Sequence, residues 1–215
     1  MRPVLRLAVL VSGSGRTLEN LQRQVLGGRL DARIAGVLCS RPDAYALERA
    51  RRLRLPAAVA DPRDFPDRRA FWGAVAGVLD DWAPDLAVMA GWLCYWRIPK
   101  RWAGRVVNIH PSLLPAFGGK GFYGDRVHRA VLAAGARVSG CTVHAVDNVY
   151  DHGTVLAQAR VPVRRADDVH ALGTRVFRAE SRLYPEVLRR IASGRIPLPL
   201  RASGASRRRA RASAT

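Results

Sequence analysis

Apolar runs and helical periods alternate along the first half of the chain. Leu5 to Val11 is apolar apart from Arg6, and a Ser-Gly-Ser-Gly turn separates it from an amphipathic pattern at Arg16–Leu26. A short apolar run bounded by glycine is a buried strand, and the 3.6-residue period after it is a helix. Ala32–Cys39 reads as a second strand, Ala44–Leu53 as a helix, Ala57–Ala60 as a short strand and Asp67–Asp80 as a third helix. Asp85–Ala90 and Arg105–Ile109 are further strands, joined by an aromatic-rich segment, Trp92–Trp102. Strands apolar on both faces and alternating with helices predict a mostly parallel sheet covered on each side.

The pattern changes after Ile109. Ser112–Tyr123 contains Pro115 and a Gly118-Gly119-Lys120-Gly121 cluster, so it reads as a long irregular loop, and such loops tend to be functional. A helix is expected at Asp125–Ala134, then strands at Ser139–Val146 and Thr154–Val163 around a turn at Asp147–Gly153. Asp167 and Asp168 are capping residues for a long last helix reaching Ile191. The fold class is therefore single-domain α/β, a doubly wound, mostly parallel sheet flanked by helices. The expected division is a catalytic domain over residues 1–200 and a basic, disordered tail over 201–215.

Composition narrows the setting. The chain has 215 residues, 48% of them hydrophobic and 25% charged, as in ordinary globular proteins. No apolar run approaches the roughly 20 residues of a membrane span, and the start lacks the long apolar core of a secretory signal. Cys39, Cys94 and Cys141 are far apart with no CxxC spacing, which argues against a disulfide framework or a zinc site and for a reducing cytoplasm. The formal net charge of +19 rests almost wholly on arginine, Lys100 and Lys120 being the only lysines. Such a charge concentrates anions without choosing among them, and no specific nucleic acid is expected from it.

Two segments carry chemistry. In Ser12-Gly13-Ser14-Gly15-Arg16-Thr17, glycines free bare amides to face a phosphate at the positive end of a helix. The segment lacks the Gly-Lys-Ser/Thr of a Walker loop and the third glycine of a dinucleotide turn, so a single phosphate group fits, and an unliganded strand-to-helix corner reads equally well. In Asn108-Ile109-His110-Pro111, the alternation of a strand points Asn108 and His110 the same way, and Pro111 stops the ladder at the carboxyl edge. An amide donor beside an imidazole suits a carbonyl oxygen gaining negative charge, although a structural hydrogen bond also accounts for the histidine. A carboxylate from Asp151 within reach of His110 favours the imidazolium and raises its pKa; a turn-former is the plainer reading of Asp151. Trp92, Trp96 and Trp102 divide evenly between core packing and a ligand wall, and His128, His152 and His170 read as surface or loop residues.

Ser-Gly-Ser-Gly, Asn108-Ile-His-Pro-Ser-Leu-Leu-Pro115, Ser139-Gly-Cys-Thr-Val-His144 and Asp151, in this order, resemble the phosphoribosylglycinamide formyltransferase family of folate-dependent enzymes, from about Leu5 to about Ile191. The resemblance implies a Rossmann-like formyltransferase of purine synthesis, passing the formyl group of 10-formyltetrahydrofolate to the amine of glycinamide ribonucleotide without a metal. It implies Asn108, protonated His110 and Asp151 as catalytic residues, with His144 in support. Gly13, Ser14, Gly15, Arg16, Thr17 and Glu180 would hold the substrate phosphate and ribose. Arg68, Leu93, Cys94, Tyr95, Trp96, Asn108, Val146, Asp147 and Asp151 would line the folate side.

The implied partners are these small molecules, with no membrane and either a monomer or a homodimer. Cys94 stands where the family has an arginine, and the Phe117–Asp125 loop is longer than the common form. A methionyl-tRNA formyltransferase-like enzyme shares the Asn-x-His chemistry but carries an extra carboxyl-terminal domain. A formyltetrahydrofolate hydrolase carries an extra amino-terminal one. A non-catalytic anion or nucleic-acid binder would not need the Asn108–His110–Asp151 set.

Overall fold

The computed structural model describes residues 4–200, so the expected tail at 201–215 lies outside the described residues. Seven strands form one sheet in the order β3-β2-β1-β4-β5-β6-β7. They are β1 (Leu5–Val11), β2 (Ala32–Cys39), β3 (Ala57–Val59), β4 (Leu86–Met89), β5 (Val106–His110), β6 (Val138–Ala145) and β7 (Val155–Pro162). Strands β1 to β5 run parallel, while β6 lies antiparallel to both β5 and β7. The helices are α1 (Arg16–Leu26), α2 (Tyr45–Arg52), α3 (Arg68–Trp82), α4 (Asp125–Ala133) and α5 (Val169–Ala192).

Strand alternation builds two cores, one on each face. Leu7, Val9 and Val11 point with Val37 and Val88 toward α1, α2, α4 and α5. Ala8 and Leu10 point with Leu38 and Ala87 toward α3, where Phe71, Val75 and Leu79 meet Trp92, Trp96 and Trp102. All three tryptophans are buried; Trp96 and Trp102 are packing residues, while Trp92 also edges the open pocket beyond the strand ends. Asp168 caps α5 by accepting from the Ala171 amide at 2.7 Å, and Asp167 instead holds Arg175. On α5, Tyr184 is fully buried and shares its hydroxyl proton between the carbonyls of Met89 and Val107, at 3.0 and 3.2 Å. That contact sets the register of α5 against β4 and β5.

The chain leaves β1 for β2 and β3, then returns to place β4 on the other side of β1. Ligands of open α/β sheets bind beyond the carboxyl ends of the strands at such a reversal.

Candidate active site

A cleft of about 600 Å³ opens at that reversal, walled by the turn after β1, the ends of β4 and β5, the glycine-rich loop before α4 and one face of α5. Buried Ser12 precedes its glycine turn. The Ser12 amide donates to the Gly91 carbonyl at 3.0 Å, and its hydroxyl accepts from the Leu93 amide at 2.9 Å and the Ser40 hydroxyl at 2.6 Å. Three strand ends are thereby tied together beneath Gly13–Thr17.

Gly15 has a φ of 75° and presses on Ala46, whose Cα and Cβ would lie 2.9 and 2.8 Å from any added Cβ. Because Gly15 offers no side-chain cap, the first-turn amides of α1 remain available to a ligand. The Arg16 guanidinium stacks 4.0 Å above the Phe177 ring.

Glu180, one turn before Tyr184 on α5, faces the same end of the cleft. Burial pushes its carboxyl up to about 7, against the opposing pull of Arg16. A carboxyl that holds its proton more tightly when folded loses stability as pH rises from its unfolded value near 4.3 through 7. Glu180→Gln is therefore expected to melt higher than the parent at pH 8, by up to about 3 kcal/mol of unfolding free energy, and to lose the difference at pH 4.5. Thermal melts at the two pH values check this, and equal gains at both would refute the buried-carboxyl account.

The opposite wall comes from β5, backed by β6. Their antiparallel register sets Asn108 opposite His144 and His110 opposite Thr142. Asn108 Nδ2 lies 3.2 Å from His144 Nε2, and His144 Nδ1 donates to the Ala145 carbonyl at 2.9 Å. Asp151 sits between the two imidazoles, 3.5 Å from His110 Nδ1 and 3.6 Å from His144 Nε2, and accepts from the Gly119 amide at 2.9 Å. Burial acts to raise the Asp151 carboxyl, but the hydrogen bond with His144, the His110 ring and the Gly119 amide together hold it below its usual range.

His110 departs from expectation. Its Nε2 donates to the Phe117 carbonyl at 2.9 Å, and the ring is almost wholly buried. Burial lowers its pKa and outweighs the attraction of Asp151, the reverse of the rise expected from that carboxylate alone. Desolvation penalises the charged form most where a ring is this enclosed.

The expected folate-side residues divide. Leu93, Asn108 and Asp151 line the cleft, and so does Tyr150, which the sequence did not single out. Trp96 does not: it is a core residue whose indole donates to the Trp72 carbonyl at 3.2 Å. Val146 is half-buried against the α3-side core, and Asp147 is exposed, accepting from the Val149 amide and facing the His152 ring at 2.8 and 2.9 Å.

Tyr95, Cys94 and Arg68 lie outside the cleft beside Tyr150. The Tyr95 and Tyr150 rings meet at 5.4 Å, and the Tyr95 hydroxyl donates to the Asn148 carbonyl at 3.1 Å. Burial raises the Cys94 thiol, opposed by a hydrogen bond with Ser40. Arg68 is near enough to pull on the Tyr150 phenol, which burial raises.

One histidine, His128, departs from its expected surface position, while His170 is exposed as expected. His128 is buried in the cleft wall, its Nδ1 lacking a partner among the described residues and its pKa lowered by burial. His170 is exposed but borders the cleft, with Gly173, Thr174 and Phe177. The recurrence of 170, 173–174, 177 and 180 along α5 is the period that could have exposed this wall. His152 is the exposed loop residue expected. Among the described residues, no group of three or more His, Cys, Asp or Glu is arranged to hold a metal ion, and no helix is long and apolar enough to cross a membrane.

A strand-end amide and imidazole, with a carboxylate behind them, thus face a glycine turn at a helix N-terminus across the cleft. The formyl transferase family profile matches residues 5–188, and the chain belongs to that family. It is 33% identical over 195 residues to phosphoribosylglycinamide formyltransferase of Haemophilus influenzae, with 90% of each chain covered. It is 38% identical over 194 residues to the trifunctional purine biosynthetic protein adenosine-3 of Gallus gallus, of which it spans only 19% while 89% of this chain is covered. Glycinamide ribonucleotide transformylase 1 from Symbiobacterium toebii superposes with a TM-score of 0.84 at 41% identity, covering 91% of both chains.

Proposed function

We propose that the protein transfers the formyl group of 10-formyltetrahydrofolate to the primary amine of glycinamide ribonucleotide, as a step of purine synthesis. The observation that carries this reading is the convergence of Asn108, His110 and Asp151 on one wall of a cleft whose other wall is the Gly13–Thr17 turn. Names of similar proteins over nearly the full chain support the choice of substrates.

The amides of the turn and Arg16 bind the substrate phosphate, and Glu180 receives the ribose hydroxyls. Leu93 and Tyr150 offer an apolar wall to the folate, with Arg68 and Tyr95 behind it. As the amine attacks the formyl carbon, Asn108 Nδ2, already oriented by His144, donates to the oxygen gaining charge. His110 starts neutral and takes up the proton shed by the amine. The nearby oxyanion and Asp151 then both favour the charged ring, and the proton passes on to the leaving folate nitrogen. Asp151 holds that charge in place; no covalent bond to the protein forms.

Three free thiols suit a reducing cytoplasm as the compartment, and the carrying unit is residues 1–200. In the deciding assay, tetrahydrofolate is released only when formylfolate and glycinamide ribonucleotide are both present, and charged initiator tRNA does not replace the second. Release with formylfolate alone would make the protein a hydrolase. A chain ending at residue 200 is expected to keep kcat and KM within twofold, measured in the same assay; a large loss would place the 201–215 segment in the site.

A further inference from the structure

A second groove runs along the far side of α5, between that helix and the edge strand β7, and shares no lining residue with the catalytic cleft. It measures about 570 Å³ and is bordered by Arg160, Arg175, Arg178, Arg182 and Arg189, with Glu186 its one acidic residue. Arg175 is neutralised by Asp167, and Arg189 pairs with Glu186. Arg160, Arg178 and Arg182 have no carboxylate within 4 Å among the described residues, and all three are exposed. The floor is made of Ala159, Ala179, Val161 and Leu183, small or aliphatic side chains that leave the guanidinium groups standing on both banks.

We propose that this groove binds the phosphodiester backbone of single-stranded nucleic acid, independently of sequence. Unpaired like charges gathered in one channel repel each other until an anion enters, and the arginine fork matches phosphate oxygens two at a time. Arg178 and Arg182 are one helical turn apart, about 6 Å along the axis, and the arginines from 175 to 189 extend over about 21 Å. That disposition suits a linear chain of charges better than one compact anion. No aromatic residue lines the groove, so bases have nothing to stack on and sequence is not read. A second copy of this chain is a poor occupant, because a protein of net charge +19 would bring positive surface against arginines.

The test is fluorescence anisotropy of the full-length protein with two labelled single-stranded 20-mers of unrelated sequence, titrated with salt. The parent is expected to bind both alike. A triple variant, Arg160→Ser, Arg178→Ser and Arg182→Ser, is expected to bind at least tenfold more weakly. Its log–log salt slope should be shallower by about 2, from three lost phosphate contacts at about 0.7 each. A control losing the same charge elsewhere, at Arg29, Arg54 and Arg137, should bind like the parent. Formyl transfer should be unchanged in the groove variant, which establishes that it folds. Equal weakening in groove variant and control would reduce the effect to net charge and overturn the proposal, as would no binding by the parent at 150 mM salt. Poly-glutamate of the same length competing as well as unlabelled oligonucleotide would also overturn it, in favour of an acidic-peptide site.

Discussion

His110→Ala is expected to lower kcat by about 10²–10⁴-fold, the range that a positioned general acid–base contributes. The ring lies at the end of β5, enclosed by Asp151 and the Phe117 carbonyl, and an alanine there supplies neither the donor nor the proton acceptor. The structural cost is smaller. The Phe117 carbonyl loses a partner, a loss of about 1–3 kcal/mol if water does not replace it. Steady-state kinetics beside a thermal melt separate the two effects. Turnover within a few-fold of the parent would remove His110 from the chemistry.

The pH profile gives a second check. His110 must be neutral to receive a proton, and burial lowers its pKa, so the acid limb of kcat/KM should fall below the ordinary imidazole range of about 6.5. An acid limb above that range would mean that the ring works from the charged form.

Asp151→Asn is expected to cost about 10²–10³-fold in kcat, and the substitution tests charge with little else changed. Asp151 has a φ of 50°, a left-handed conformation that asparagine also tolerates, whereas alanine would add backbone strain. The asparagine oxygen can still accept from the Gly119 amide. What disappears is the negative charge that stabilises His110 as it takes up a proton.

The depressed carboxyl also leaves a signature in stability. A group whose pKa falls on folding contributes stability above its unfolded value, near 3.9, and that contribution is lost as pH falls through the folded value. The parent should therefore lose stability below about pH 4 through Asp151, and the asparagine variant should lack that component. Identical acid melts would contradict the ion-pair geometry, and unchanged kcat would contradict its catalytic use.

Much of the fold is legible in local pattern. The limits of β1, α1 and β2 follow from apolar runs closed by glycine and by a change of period, because those segments are packed on faces that the side-chain alternation itself defines. The residue types at Asn108, His110 and Asp151, and the glycine turn, were also readable, since polar groups at the end of an apolar strand have few reasons to be there. His128 was misread because a lone histidine on a short helix carries no mark of which neighbour covers it. Here that neighbour is Gly173 on α5, 45 residues further on, whose added Cβ would come within 3.0 Å of the ring. Trp96 and Tyr95 adjoin in sequence, yet one enters the core and the other meets Tyr150, a division made by the irregular path of the segment after β4.

Short-range pattern thus settled which segments are strands and helices, that the sheet is mostly parallel, and which side chains are chemically able to act on an acyl group. Those follow from steric and hydrophobic preferences within a few residues of each position. The lowered pKa of His110, the elevated carboxyl of Glu180 and the separation of the arginine groove from the cleft arose only when distant elements packed. A pKa depends on how much water neighbouring chain segments remove and which charges they bring close, and neither quantity exists until the chain has folded.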